Sequence, residues 1–386
     1  MKTTLIVVSV FMTLHVNAST IPVSERIDSL MNSAINPAAP GCNLGITHNN
    51  EYIHKAGYGL ANLELGVPLD GNQVHRMASV SKQFTAMAVL ILAQQGHIDL
   101  DKDIHTYIPD LRKYPSRVTV RQMLDHVAGM GDYDLIAPSF EGEKSDQAIE
   151  LKSAAGGQFR LGNEDYLTID EFYEVVKTVP LALEPNTEFR YSNLAYFLLA
   201  MMVEEVSGKS LRQFSDEFMF KPLGMSHTFF SDNPVEIVKN RASGYKKNDK
   251  GEYVTDMTNL FWVGDGGLHT NLDDMLLWNK HFNEPQLGQD PVALVAMMNT
   301  ANLTLKPAAD VSYANGQVVK QYQGVTEYAH SGGWLGTSTY FARYPELKLS
   351  FSLMCNDVSN EKVFGAYKEI RDLVFAEVLN KQGESR

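Results

Sequence analysis

From about Ser79 to Gln95 the chain reads as one helix that is apolar on most of its sides. Val80, Phe84, Met87, Ala88, Leu90, Ile91 and Leu92 are distributed around it, and Gly96 is placed to end it. A helix of this kind cannot rest on a surface with one face in water, so the rest of the protein must wrap around it. Its head, Ser79-Val80-Ser81-Lys82, is polar where polar groups are costly to bury, and that needs a reason.

Strand signals cluster near the two ends of the chain. Cys42–Thr47 and Tyr52–Tyr58 flank His48-Asn49-Asn50-Glu51, which reads as a hairpin turn. Later, Tyr322–Gly332, Thr337–Tyr344 and Lys348–Cys355 read as three short strands, the last two joined by a tight turn at Pro345-Glu346. A final helix is expected over about Glu361–Leu379. The middle is helical. Thr119 opens a helix to about His126, Thr168 and Glu171 form a capping box for one to about Lys177, and Asn193–Val206 is a third, stopped by Gly208. The polar stretch between Tyr133 and Tyr166 predicts a long surface loop. There is no internal repeat. Strands around a helical middle predict a discontinuous α/β unit over about 19–78 and 260–386, with a mainly helical insert over about 79–259, together one catalytic domain.

The first residues read as a signal peptide spanning residues 1–18. Lys2 supplies the positive start, Leu5–Leu14 the apolar run, and Val16-Asn17-Ala18 a small-x-small cleavage site before Ser19. That run is shorter than the roughly 20 residues a bilayer crossing needs, so the expectation is a soluble, exported protein without a membrane anchor, periplasmic or secreted in the bacterial manner. With 46 acidic against 33 basic residues, nucleic acid is a poor partner. Two separated cysteines, scattered histidines and the lack of HExxH or paired CxxC imply no metal and no other cofactor.

Three short motifs carry chemistry. Residues three apart on a helix share a face, so the Lys82 amine reaches the Ser79 hydroxyl, and a desolvated lysine can take the serine proton. The same spacing occurs at Ser243/Lys246 and Ser359/Lys362. The first lies in a polar loop that leaves Lys246 solvated, and Ser359 reads as the N-cap of the last helix. Tyr191-Ser192-Asn193 stands at a loop-to-helix junction. A tyrosine beside an ammonium can have a lowered pKa and shuttle protons, and Asn193 could hold a substrate amide. Tyr313-Ala314-Asn315 has the same pattern but reads as turn chemistry. His330-Ser331-Gly332-Gly333 ends a predicted strand, where glycine admits a ligand close to backbone. The backbone N–H groups of Ser79 and Gly333 would make an oxyanion hole.

In this order and setting, the motifs resemble the SxxK, YxN and KTG or HxG boxes of the class C β-lactamase and DD-peptidase superfamily of active-site serine enzymes. The resemblance runs from roughly Pro22 to Asn380. Val118–Gly129 is similar to the family's T-I-R-x-L-L-x-H-T-S-G segment, and Gly264–Thr270 to its G-x-G-G-L-x-S/T loop. Val206–Ser210 and Lys221–Met225 match two further landmarks. It implies a β-lactamase/transpeptidase-like fold, an antiparallel sheet flanked by helices with a helical insert. It also implies Ser79, Lys82 and Tyr191 as catalytic residues and Asn193, His330, Ser331 and Gly332 as substrate-binding residues. The substrate would be a D-amino-acid peptide, an ester or a β-lactam, possibly cell-wall peptide, handled by a monomer or weak oligomer. The alternative is a penicillin-binding or sensor module that acylates without turnover. HSG stands where most class C β-lactamases have KTG, as in the DD-carboxypeptidase, D-aminopeptidase and esterase branches, and histidine grips a carboxylate less firmly than lysine. The expectation is a chain without the extra C-terminal domains of some D-aminopeptidases, since this sequence ends soon after its last helix. In the family fold the first strand lies antiparallel to the last, which implies that Cys42 and Cys355 are close. Export would permit a disulfide between them.

Overall fold

The computed structural model describes residues 21–136, 167–233, 236–257 and 263–384. The expected signal segment and residues 137–166 of the expected loop lie outside the described residues.

The strand signals at the two ends build one seven-stranded sheet. Its strands are β1 (Cys42–His48), β2 (Glu51–Tyr58), β3 (Ser312–Ala314), β4 (Gln317–Tyr322), β5 (Val325–Trp334), β6 (Thr337–Tyr344) and β7 (Leu349–Cys355), in the order β3-β4-β5-β6-β7-β1-β2, every neighbouring pair antiparallel. Asn49 and Asn50, with φ of 53° and 64°, make the first hairpin turn, two left-handed residues whose twist matches that of the strands. Two expectations are corrected here. Tyr322 belongs to β4, because Gln323-Gly324 turns the chain before β5 begins. Tyr313 and Ala314 form strand β3, and only Asn315-Gly316 is turn. An Asn-Gly pair between alternating residues is itself a hairpin signal, so β3 and β4 were readable.

Helices α1 (Val23–Ala34) and α7 (Lys362–Glu384) cover one face of the sheet and α6 (Leu272–Asn283) packs on the other, where α2 (Lys82–Gln94) is wrapped by α3 (Val120–Leu124), α4 (Ile169–Val176) and α5 (Asn193–Ser207). Strand β7 is buried along its length because both its faces are covered. Leu349, Phe351, Leu353 and Cys355 pack with Ile27 and Met31 of α1 and Ile370, Val374 and Phe375 of α7. Met354 points the other way, into the core around α2. In α2 every residue from Lys82 to Leu92 is buried, the packing that an all-round apolar helix demands. Thr119 and Thr168 form capping boxes with Gln122 and Glu171, and Gly208 ends α5 in the left-handed region at φ 69°.

Two further expectations change. The stretch from Tyr133 does not begin as surface loop: Tyr133–Leu135 is a short 3-10 turn with Tyr133 and Leu135 buried in the helical core. Ser359 does not cap α7, which starts three residues later; its hydroxyl accepts the Lys247 N–H at 2.8 Å.

Cys42 lies opposite Cys355 in the β1–β7 register, and the two are joined by a disulfide. Thiol titration of the denatured, unreduced protein should therefore find no free cysteine. Cys42→Ser should lower urea stability by about 2–5 kcal/mol, since the bond closes a loop of 313 residues in the unfolded chain. An unchanged unfolding midpoint would remove any stabilising role from the bond.

Candidate active site

Ser79 stands in a 3-10 turn, Ala78–Ser81, that leads directly into α2. The residue before it, Ala78, has φ of +46°, a left-handed conformation that is strained for any residue with a side chain. This kink lifts Ser79 out of the buried backbone on either side, and it is half-buried between buried Ala78 and Val80. Strand β5 presses on the same kink. A Cβ at Gly332 would lie 2.3 Å from the Met77 carbonyl oxygen and 3.2 Å from the Ala78 Cβ, so only glycine fits. The neighbouring Gly333 faces open space, and Ser331 is exposed.

Lys82 is fully buried, and its Nζ meets three acceptors. They are Ser79 Oγ at 3.3 Å, Asn193 Oδ1 at 2.7 Å and the Asp265 carbonyl oxygen at 2.8 Å. Burial of the ammonium drives its pKa down to about 8, against the opposing pull of the Asp265 and Asp132 carboxylates. A neutral amine keeps two N–H bonds. With those directed at Asn193 and Asp265, its lone pair is left for the Ser79 hydroxyl.

Asn193 was expected to hold substrate, but both ends of its amide are engaged inside the protein. Oδ1 accepts from Lys82, and Nδ2 donates to Asp132 Oδ2 at 3.0 Å. Asp132 also accepts the Asn193 backbone N–H at 3.0 Å, so it fixes both the start of α5 and the amide that holds Lys82. Asp265 takes the Tyr133 hydroxyl at 2.8 Å. Burial raises the pKa of both carboxylates. Neither was anticipated, because their role depends on packing across the cleft and no spacing in the chain announces it.

Tyr191 places its ring over Lys82, with Nζ 4.8 Å from the ring centroid. Its hydroxyl is buried and meets no partner among the described residues by hydrogen-bond geometry, although Ser79 is close enough to favour its ionised form. Burial outweighs that and pushes the phenol pKa well up, which corrects the expectation of a lowered value. Tyr191 therefore rests as a neutral phenol able to pass a proton on.

The structure decides the charge of His330, which residue type had left open. It is 6% exposed, and burial, reinforced by the Lys82 charge, pushes its pKa down to about 4. It is a neutral ring and not a cation facing a substrate. Of the other SxxK serines, Ser243 Oγ accepts from Asn62 Nδ2 at 3.1 Å, while Lys246 is paired with Asp256 at 2.8 Å. The structure thus gathers Ser79, Lys82, Tyr191 and Asn193 around one point, with His330–Gly333 along the adjoining strand.

A family model described as beta-lactamase matches residues 24–375. A D-aminopeptidase of Gluconobacter oxydans is 24% identical over 327 residues, covering 85% of this chain and 58% of that protein. The chain thus spans about three fifths of that curated relative. Among solved structures, the octameric penicillin-binding protein homologue from Pyrococcus abyssi superposes with a TM-score of 0.71 at 24% identity, covering 87% of this chain and 73% of that one. The D-amino acid amidase from Ochrobactrum anthropi superposes at 0.72 with 21% identity, covering 94% and 99%. These neighbours share the fold, an antiparallel sheet flanked by helices.

Proposed function

Because this chain belongs to the beta-lactamase family, we propose that it is a serine hydrolase that acts through a Ser79 acyl-enzyme on amides or peptides of D-amino acids or on simple esters. The observation that carries this reading is the setting of buried Lys82, whose bonds to Asn193 and Asp265 leave its lone pair for the Ser79 hydroxyl 3.3 Å away.

Neutral Lys82 takes the proton of Ser79 Oγ as that oxygen bonds to the substrate's carbonyl carbon. The carbonyl oxygen becomes an oxyanion, held by the backbone N–H groups of Ser79 and Gly333, an interaction worth roughly 3–4 kcal/mol per donor. The amine or alcohol leaves with a proton from Lys82 passed through the Tyr191 hydroxyl. A water then attacks the ester, gives its proton back along the same route, and releases the acid and free Ser79. Amide substrates are favoured over dedicated antibiotic hydrolysis, because His330 is neutral at the position where a lysine would bind a carboxylate.

Intact-mass analysis alongside turnover assays with a D-amino-acid amide, a chromogenic ester and a penicillin tests the reading. Turnover of the amide or ester is expected. A permanent adduct without turnover on any of the three would reassign the protein as a sensor. Tyr191→Phe should slow turnover on the order of 10²–10⁴-fold if the phenol relays protons. A change below about threefold would leave it a packing residue.

A further inference from the structure

Three buried side chains that the mechanism does not use form a continuous chain of hydrogen bonds across the cleft. His126 follows α3, Tyr313 lies on β3 and His330 on β5, and they are 1%, 1% and 6% exposed. The Ser192 backbone N–H meets His126 Nδ1 at 3.1 Å, and His126 Nε2 meets the Tyr313 hydroxyl at 3.2 Å. That hydroxyl meets His330 Nε2 at 3.1 Å, and His330 Nδ1 meets the Ser331 carbonyl oxygen at 2.6 Å. The chain begins on the backbone of the middle residue of Tyr-Ser-Asn and ends on the backbone of the middle residue of His-Ser-Gly.

For neutral rings the two ends fix every proton between them, and the Tyr196 hydroxyl, which also lies beside Tyr313, donates its own proton to the Leu124 carbonyl at 2.7 Å. A backbone N–H can only donate, so His126 Nδ1 accepts and its proton sits on Nε2. Tyr313 then accepts from His126 and donates to His330 Nε2, which leaves the His330 proton on Nδ1. A carbonyl can only accept, and the Ser331 oxygen requires that same Nδ1–H. Starting from either end gives one assignment, with both rings neutral and in opposite tautomers. A charged His330 would point a second donor at the Tyr313 oxygen and break the sequence. Burial lowers the pKa of both rings, in agreement.

We propose that His126, Tyr313 and His330 form a one-way hydrogen-bond clamp that ties the Tyr191–Asn193 wall of the cleft to the His330–Gly333 strand. His330 is then a positioning residue, and substrates are read without a cation from it. The mechanistic part rests on Ser79 being the nucleophile; the proton assignment does not.

Nitrogen-15 spectra of the histidine-labelled, unmodified protein at pH 6 test the assignment directly. His126 should carry its proton on Nε2 and His330 on Nδ1, both neutral. A charged His330, or both rings in one tautomer, overturns the proposal whatever the enzyme hydrolyses. Tyr313→Phe removes one oxygen and both central bonds. It should lower kcat about tenfold, the scale of one or two hydrogen bonds, with KM changed less than about twofold. The loss should be equal on neutral esters and on carboxylate-bearing substrates. A KM rise confined to the carboxylate-bearing class would make His330 a substrate contact and overturn the clamp. If tautomers and kinetics hold while Ser79→Ala stays active, only the choice of nucleophile falls.

Discussion

Ser79→Ala is expected to abolish acyl-adduct formation and to cut turnover on the order of 10³–10⁶-fold, because it removes the atom that forms the covalent bond and its partners cannot act without it. The protein should unfold at nearly the same temperature. Ser79 is half-buried, and its hydroxyl lies beside the Tyr191 phenol and 3.3 Å from Lys82, which keeps two shorter contacts. Alanine also suits the 3-10 turn. Mass spectrometry of the treated variant beside the wild type checks both points. An adduct that persists and maps to Ser243 or Ser359 would overturn the assignment, and the structure argues against each. Lys246 is tied to Asp256, and the Ser359 hydroxyl holds the Lys247 N–H.

The parts of this molecule legible in its sequence are those decided locally. Thr119 and Thr168 each close a box with a residue three positions on, and paired asparagines shape the first hairpin. The polar head on an apolar helix marked Ser79 and Lys82 for the same reason, since the conflict lies within a few residues. What escaped depends on distant packing. Asp132 matters because it meets Asn193, 61 residues away, and Tyr313 because β3 brings it between two histidines. Residue type alone misjudged Tyr191 and could not decide the charge of His330. Proximity to Lys82 suggested a lowered phenol pKa, and residue type left the charge of His330 open, but burial dominates both.

Lys82→Ala should be at least as damaging as Tyr191→Phe, and the pH dependence of the wild type should show why. The base must be neutral, and burial sets the Lys82 pKa at about 8. Below that value the neutral fraction falls tenfold per pH unit, so kcat/KM should rise with pH through about 8 and level above it. An exposed lysine would carry the rising limb to its ordinary pKa of about 10.4. The position of the limb thus measures which influence on Lys82 prevails. Burial disfavours the ammonium, while Asp132 and Asp265 favour it. Lys82→Ala should lose the limb along with the rate. A wild-type limb near pH 10 would mean that the carboxylates win and that the neutral fraction of Lys82 at pH 7 falls from about a tenth to about a thousandth, too little for it to serve as the base that takes the Ser79 proton.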